Sequence, residues 1–344
     1  LKDGRTVYYY PVNAISNSGP FEFILPKDNE SWTLLPLTRL EGVIKLKKKD
    51  DSAFGATDIV SPVNLFPQSI FKQVECELNG IQVCDLSTPT YAFKQFIETH
   101  LTYSKAAKET HLENSLYVKD QQGKETTYVE AENSGFKERR AVLNANEMKF
   151  NFSNVIHSDF FQCQKALLPG VEIKLKFIRN DDNFSLLAAS ALSNTYEIEI
   201  KNLKLSVRRV KIDPVVQASI ETTLKTKSSL YNITQSKIKT FMVPANTSSI
   251  NFPSVIQGNL PQSVIFGFVS DSGFTGKIEG NPFCFNHQNI NLFNAKINGI
   301  PILPTPFTPS YEANKLNFAR EYRWFMDNCG ISHENESNGI TKKE

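Results

Sequence analysis

The sequence predicts an all-β protein built from antiparallel sheets, and three observations carry this prediction. Phenylalanine occurs 25 times among 344 residues, against 3 methionines and 2 tryptophans, and aromatic residues of this kind favour strands. Apolar and polar residues alternate with a period of two in several stretches, which is typical of half-buried strands. The clearest of these stretches is interrupted by Asn79-Gly80, the dipeptide that favours a tight hairpin turn.

This hairpin lies within residues 60–85, after a turn rich in proline and asparagine. A type I′ turn at Asn79-Gly80 pairs Leu78 with Ile81, and the pairing fixes which side chains share a face. The two faces are Val74, Cys76, Leu78, Ile81 and Val83 on one side, and Glu75, Glu77, Gln82 and Cys84 on the other. We expect the first face to be buried and the second to meet solvent. Because the two cysteines fall on opposite faces, no disulfide is expected between them.

Three further stretches predict strands. Apolar residues alternate over residues 148–152 and, more regularly, over residues 171–177. Between residues 196 and 212 the alternation slips by one position twice. A slip of one reverses which face is buried, so we expect bulges near Asn202 and Arg209.

Helical patterns are few and are expected to decorate the sheets. Residues 91–103 place their apolar side chains on one helical face. A second helix is expected from Asp213 to about residue 229, with proline in its first turn, and a third ends at Gly330. The segment 104–144 is polar and almost without periodicity, so it predicts an exposed excursion with some local structure.

Length and charge limit the possible classes of protein. A chain of 344 residues favours two domains, and its net charge of +2 comes from interspersed residues of both signs. The densest basic run, at residues 45–49, is followed at once by Asp50 and Asp51, so we interpret it as a solvated strand end. Neither an apolar run long enough to cross a membrane nor a signal-peptide pattern occurs, and 5 cysteines without a C-x-x-C pair favour synthesis in a reducing, intracellular compartment.

Motifs for catalysis or metal binding do not emerge from the sequence. The 5 histidines lack zinc-site spacing, and no phosphate-binding glycine loop follows a strand. His157-Ser158-Asp159 contains the residue types of a catalytic triad, but adjacent side chains point apart. His287 could share a metal with Cys284, although a packed strand end is favoured there. We therefore predict no enzyme, no catalytic residue, no metal and no cofactor; whether two carboxylates face each other across a cleft stays open.

Two arginine pairs are the remaining candidates for function. Arg139-Arg140 lies inside the polar excursion, and Arg208-Arg209 lies at an expected bulge. They could form salt bridges between subunits or contact nucleic acid. Ordinary surface arginines are the favoured interpretation.

Short echoes between the two parts of the chain indicate two related halves. Leu-Phe-Pro-Gln-Ser-Ile at residues 65–70 is echoed by Asn-Leu-Pro-Gln-Ser-Val at residues 259–264. Leu-Asn-Gly-Ile at residues 78–81 is echoed by Ile-Asn-Gly-Ile at residues 297–300. The order of the two motifs is preserved. The helix expected from Asp213 separates a strand series that ends before it from a new series that begins with Ile238, Phe241 and Val243.

A larger set of motifs resembles a known family. It comprises residues 60–80, Tyr91-Ala92-Phe93-Lys94, Ile156-His157-Ser158-Asp159-Phe160-Phe161, Leu167-Leu168-Pro169-Gly170-Val171, Gly280-Asn281-Pro282-Phe283 and Asn298-Gly299. Their order resembles that in the double jelly-roll major capsid proteins of Maverick/Polinton elements and adintoviruses. The resemblance extends from about residue 60 to residue 339.

The resemblance implies a double jelly roll, meaning two antiparallel β-sandwich domains side by side with a few inserted helices. The first jelly roll would be residues 1–212, including the excursion at 104–144, followed by a linker helix at 213–235 and the second jelly roll at 236–344. The family's chain continues with further strands past the region resembling Asn338-Gly339-Ile340. We therefore expect the second roll to be incomplete at the C-terminus, with its last strands outside this sequence or supplied by a partner.

The function implied by the resemblance is that of a major capsid protein. Three copies would form a pseudo-hexagonal capsomer, and many capsomers would tile an icosahedral shell around double-stranded DNA, with penton and minor capsid proteins as further partners. The location would be the virion, and the excursion would form a tower or clasp on the capsomer. Near-neutral charge predicts no strong direct nucleic-acid binding, and no membrane partner is expected.

Two other functions remain open at this point. A jelly-roll carbohydrate-binding module or glycan-processing enzyme would need exposed aromatic platforms, for which Trp32 and Trp324 are the only tryptophans. The second possible function is that of a capsid protein whose gene a host has domesticated, with its shell put to another use.

Overall fold

The computed structural model describes residues 3–84, 89–312, 317–330 and 336–341. Its strands are β1 Asp3–Tyr9, β2 Phe21–Leu25, β3 Trp32–Lys48, β4 Val60–Pro62, β5 Phe71–Leu78, β6 Ile81–Gln82, β7 Lys149–Val155, β8 Ile173–Arg179, β9 Leu186–Ala188, β10 Tyr196–Lys211, β11 Lys296–Ile297 and β12 Ile300–Pro301. Its helices are α1 Phe66–Ser69, α2 Tyr91–Thr102, α3 Lys105–Lys108, α4 Ser134–Ala145, α5 Pro214–Leu224, α6 Asp271–Phe274 and α7 Ala319–Asn328.

Eight of these strands form two antiparallel sheets of four. One sheet has the order β1-β10-β3-β7 and the other the order β2-β8-β5-β6. Along the chain, successive strands of this set pass from one sheet to the other, except where β5 and β6 form a hairpin within one sheet. This connectivity is the jelly-roll arrangement of a β-sandwich. The all-β, antiparallel prediction is confirmed for residues 3–211.

The inner faces of the two sheets share one apolar core. Phe21 and Phe23 of β2 meet Phe71 of β5 and Phe177 of β8, with ring centroids between 5.2 and 6.2 Å apart. Ile44 of β3 is fully buried in the same core, opposite these rings. Burying one such side chain contributes about 1.5–3 kcal/mol, so this core holds the two sheets together.

The predicted hairpin is confirmed in its register. Leu78 pairs with Ile81, and Asn79 and Gly80 have φ of 48° and 81°, as a type I′ turn requires. The expected burial of Ile81 is wrong, because its side chain is 70% exposed on β6, a two-residue strand at the sheet edge. Cys84 also differs from the expectation: its Sγ accepts a hydrogen bond from the backbone N–H of Cys76 at 2.9 Å and packs on the core.

Both cysteines of the hairpin are free thiols. The predicted hairpin region extends to residue 85, which lies outside the described residues.

In the long strand β10, the register with β3 shifts between Lys201 and Lys204 and again between Ser206 and Arg208. The first shift confirms the bulge near Asn202, whose φ is 53°. The second lies just before the position expected for it.

The three expected helices form. α2 matches its predicted span, and α7 ends before Gly330, whose φ is 75°. α5 begins after Asp213, whose side chain accepts a hydrogen bond from the backbone N–H of Val215, but it ends at Leu224, earlier than expected. No residue of α5 is buried, so no tertiary packing prolongs it.

The segment 104–144, called the excursion below, has the local structure expected of it in α3 and α4, but it is less exposed than its composition predicts. Its residues Leu112 and Phe136 are buried in a second apolar cluster beside the sandwich. The cluster also contains Leu65 from the turn before α1 and Leu187 from β9. The excursion is thus packed onto one end of the jelly roll by side chains that lie far apart in the sequence.

The second half of the chain has little sheet. After α5, the described residues contain the β11–β12 pair and a few isolated bridges. Residues 238–243, expected to begin a new strand series, carry no strand, and Phe241 is 46% exposed. The echoed turn at Asn298-Gly299 repeats the first hairpin with φ of 49° and 84°, whereas residues 259–264 do not repeat the short helix α1. The second jelly roll and its boundaries stay a prediction.

Candidate assembly surfaces

The outer faces of the two sheets are covered by paired charges. On the first sheet, Lys47 contacts Glu197 at 3.3 Å and Lys204 contacts Glu41 at 3.4 Å. On the second sheet, Lys176 contacts Glu75 at 3.5 Å. Such exposed pairs contribute little stability, but they keep a surface hydrated. Apolar contacts with other proteins would therefore be expected at the ends and edges of the sandwich.

Arg139 joins the excursion to the sandwich. Its side chain is fully buried: Nε donates to the carbonyl of Pro62 at 2.9 Å, and the two terminal nitrogens donate to the carbonyl of Val118 and to Asp120, each at 2.7 Å. The interpretation of Arg139 as a surface arginine is therefore wrong. A guanidinium has five donors in a fixed plane, which suits it to hold two other segments, at Pro62 and at residues 118–120, against its own helix α4.

The neighbouring Arg140 contributes to a second polar junction. It pairs with Glu130 and donates to the backbone carbonyl of Asp58 at 3.1 Å. The Asp58 carboxylate in turn receives Lys48 at 2.6 Å and the hydroxyl of Tyr196 at 3.1 Å. Burial raises the pKa of Asp58, but hydrogen bonds from the backbone N–H of residue 55, from Lys48 and from Tyr196 outweigh it, so the pKa is lowered overall. Lys48 is therefore not part of a solvated strand end.

In the second arginine pair, as in the first, one side chain is buried and the other is partly exposed. Arg209 is buried and donates to the hydroxyl of Tyr9 at 3.3 Å, while its Nε has no acceptor among the described residues. Arg208 is half-buried and lies 3.5 Å from the hydroxyl of Thr6. The expectation of two surface arginines is wrong for Arg209, because it alternates in step with the buried Leu205 and Val207 and therefore lies on the inner face of β10.

The linker that follows α5 is held by residues 159–168, which we call the linker clamp. Lys165 donates to the carbonyl of Leu230 at 2.8 Å, and the hydroxyl of Tyr231 donates to Ala166 at 3.2 Å while accepting from the backbone of Leu168 at 3.1 Å. The Asp159 carboxylate accepts from the backbone of residue 236 at 3.2 Å. These contacts fix the path of the chain as it leaves the first half.

His157, Ser158 and Asp159 do not form a triad. The ring of His157 is buried and its Nδ1 lies 3.1 Å from Glu98, whereas Asp159 pairs with Lys94. The Ser158 hydroxyl is buried without a partner among the described residues. Burial raises the pKa of Glu98, but the hydrogen bond with His157 and the charge of Lys94 outweigh it, so the pKa is lowered overall.

The possible Cys284/His287 metal pair is not assembled either. His287 stacks on Tyr311 with ring centroids 4.0 Å apart, and its Nδ1 accepts from the backbone of Asn289 at 2.9 Å. Burial raises the pKa of the Cys284 thiol to about 11. Across the described ranges, no three histidine, cysteine or acidic side chains are grouped as a metal site.

The two tryptophans offer no obvious sugar platform. Trp32 is 9% exposed at the start of β3. Trp324 is 41% exposed, but its ring packs at a steep angle on Phe307, with centroids 5.5 Å apart. No helix in the described part of the chain has the length and apolar character needed to cross a membrane.

Two segments of the second half dock onto the first. In residues 271–283, called the anchor loop, Asn281 donates to the carbonyl of Glu125 at 2.7 Å, and the ring of Phe283 stacks on Phe96 at 4.5 Å. In residues 336–341, called the C-terminal strap, Asn338 is buried and its backbone carbonyl accepts from Lys108 at 2.6 Å. Both segments rest on the excursion or on the helix before it.

Exposed apolar side chains are concentrated in residues 215–266. The most exposed are Val215, Leu230, Met242, Leu260, Val264 and Phe266, with exposed fractions from 51% to 86%. Solvated proteins seldom leave a long series of such residues uncovered. This apolar segment is therefore a candidate contact surface.

No protein-family model and no curated protein matches the sequence. Among solved structures, the chain is similar to the PBCV-1 virus capsid (TM-score 0.38, 11% identity, 63% of this chain and 44% of that chain). It is also similar to the mavirus major capsid protein (0.34, 12%, 62% and 47%) and to the Sputnik virophage structure (0.36, 12%, 62% and 49%). The matched region spans less than half of each of those chains. At these TM-scores the jelly-roll assignment rests on the strand order of this chain alone.

Proposed function

We propose that this chain is a major capsid protein, a structural subunit of a viral shell. The observation that carries the proposal is the jelly-roll connectivity of residues 3–211, which occurs in capsid proteins as well as in lectin domains and cupins. The series of motifs resembling the Maverick/Polinton and adintovirus capsid proteins favours the first of these uses.

The positions of those motifs support a scaffold role. Residues 65–70 form α1 and the turn before it, between the sandwich and the excursion. The motif at residues 91–94 begins α2, the motif at residues 156–161 reaches into the linker clamp, and that at residues 280–283 lies in the anchor loop. These motifs lie at junctions between parts of the chain and do not surround one pocket. Residues with this distribution are expected to fix shape.

The proposal extends to the assembly and to the second half of the chain. Three copies form a pseudo-hexagonal capsomer, and capsomers tile an icosahedral shell around double-stranded DNA with penton and minor capsid proteins. Residues 236–344 belong to a second jelly roll, and the repeated turn geometry at Asn79-Gly80 and Asn298-Gly299 supports two related halves. The protein resides in the virion, carries no active site and binds nucleic acid only weakly.

Shell assembly requires rigid subunits joined by many modest interfaces, so that wrong contacts dissociate. The shared apolar core of the two sheets and the buried polar junctions at Arg139 and Asp58 make the first half a firm unit. The apolar segment at residues 215–266 supplies surface that other chains can cover. Its burial between copies is the source of association that we propose.

Light scattering coupled to size-exclusion chromatography, followed by negative-stain microscopy, tests the proposal on the purified chain. Trimers or closed particles are expected, and Leu260→Asp should shift the population toward monomer. Ile81→Asp is the matched control, because Ile81 is similarly exposed but lies on the hairpin edge of the first half. A monomer at all concentrations that binds glycans on an array would refute the capsid function.

A further inference from the structure

An open groove lies at the end of the sandwich where β8 ends and β10 begins. Its volume is about 1010 Å³, at the upper limit of the range of small-molecule sites. One wall carries Lys72 of β5, and another is formed by residues 275–279 of the anchor loop, including Lys277. Arg179, at the end of β8, also lines the groove. Of the motifs that carry the capsid proposal, only residues 60–80 reach this groove, through Lys72.

The groove has an excess of unpaired positive charge. Five basic and three acidic residues line it, and two of the basic residues, Lys176 and Arg179, already pair with Glu75 and Asp182. Among the acidic residues, Asp182 is occupied: one oxygen pairs with Arg179 at 2.7 Å and the other accepts from the backbone N–H of Ile198 at 3.2 Å. Asp181 and Glu279 carry the other two negative charges.

The lysines at the rim are less satisfied than those on the sheet faces. Lys49, Lys72 and Lys277 come from three separate segments, and none forms a salt bridge with a described residue. By contrast, Lys47 and Lys204 on the outer face of the first sheet each pair with a glutamate. Lys49 lies within electrostatic range of Asp182 and Glu197, which leaves Lys72 and Lys277 as the ammonium groups most available to a ligand with several negative charges.

Two further features indicate the chemistry of that ligand. The guanidinium of Arg179 is buried, and its terminal nitrogens already donate to Asp182 and to the carbonyls of Asn17 and Ile198, so it acts on the groove through its charge and not as a donor to the ligand. The aromatic residue lining the groove, Tyr196, is fully buried, so no ring is available as a platform for a sugar. Amides and hydroxyls, such as those of Asn180 and Ser193, supply neutral donors.

We propose that this groove binds a multivalent phosphate-type oxyanion. Lys72 and Lys277 contact the anion from two segments, with Lys49 at the rim and Arg179 beside them. The anion could come from a free polyphosphate or from the backbone of a nucleic acid, since both present the same oxygens. The inference is independent of the capsid function, because it rests on the groove alone.

Isothermal titration of the purified chain with tripolyphosphate at low salt tests this inference. The double variant Lys72→Ser/Lys277→Ser should bind about fivefold to thirtyfold more weakly, since each exposed ion pair contributes modestly. Binding should weaken as sodium chloride is raised, because salt screens exposed charges. Lys174→Ser is the control: Lys174 is an exposed lysine of β8, near Lys176 but outside the groove.

A single-stranded oligonucleotide added as competitor distinguishes the two sources of phosphate. Displacement of tripolyphosphate would assign the site to a nucleic-acid backbone and would revise the weak nucleic-acid binding proposed above; no displacement would assign it to a free anion. The inference is overturned if neither anion binds saturably, if the double variant binds as tightly as the parent, or if Lys174→Ser weakens binding equally. The thermal midpoint of the double variant should match that of the parent, because the substituted lysines are exposed.

Discussion

Replacing the buried guanidinium of Arg139 should destabilise the protein far more than removing an exposed ion pair nearby. Arg139→Met keeps an unbranched apolar side chain but removes the donors to two backbone carbonyls and to Asp120, which has a side-chain exposure of 9%. Breaking a buried pair by removing one partner costs about 3–5 kcal/mol, because the remaining charge has lost its compensation. The loss should appear first in the excursion, which this side chain ties to the sandwich.

The assay is urea unfolding followed by tryptophan fluorescence, with hydrogen exchange to locate the loss of protection. Lys124→Met is the matched control, because Lys124 pairs with Glu132 in the same excursion while both side chains are nearly half exposed. That pair should contribute about 0–1 kcal/mol. If Arg139→Met lowers the free energy of unfolding no more than Lys124→Met does, the structural role assigned to Arg139 is refuted.

Three further predictions concern other junctions. The pKa of the Glu98 carboxyl is lowered in the folded chain, so its contribution to stability is complete above the ordinary value of 4.5 and disappears as the pH falls through the lower folded value. Glu98→Gln should therefore flatten the acid side of a plot of unfolding free energy against pH. An unchanged midpoint of acid unfolding would contradict this prediction. Gly280→Ala would place a Cβ 2.6 Å from the backbone nitrogen of Gly273, so it should detach the anchor loop and make it susceptible to cleavage in limited proteolysis. Gly55→Ala is the control, because its Cβ would have its nearest contact at 3.6 Å and should not increase cleavage. Tyr231→Phe removes both hydrogen bonds of the hydroxyl to the linker clamp and should cost about 0.5–1.5 kcal/mol per bond. The loss should appear as faster hydrogen exchange in residues 230–236. Unchanged exchange there would argue against the clamp.

The predictable parts of the fold are those with local signals. The turn at Asn79-Gly80 and the bulge near Asn202 were predicted because turn chemistry and period-two alternation act over a few residues. The burial of Arg139 could not be predicted in this way, since its acceptors lie 77 and 21 residues away in the chain. A polar segment without periodicity gives no sign that distant carbonyls will surround one of its arginines.

The candidate surfaces also differ in whether a local sequence pattern predicts them. The paired charges on the sheet faces follow from alternation, since each strand has one polar face. The groove could not be predicted, because Lys49, Lys72 and Lys277 come together only when the anchor loop docks onto the sandwich. The expectation of a second sandwich rested on a resemblance and on two short echoed motifs, and residues 238–243 carry no strand of their own in the described structure.

The linker clamp and the anchor loop have a joint consequence for how the chain tolerates change. Together they fasten the chain near residue 236 and again from residue 271, so residues 237–270 form a closed loop on an otherwise complete jelly roll. The entropy of closing a flexible loop grows only with the logarithm of its length, and doubling the length costs about 0.6 kcal/mol. A change of length between residues 237 and 270 should therefore leave the stability of the first half intact while it displaces the exposed apolar side chains through which we propose that copies associate.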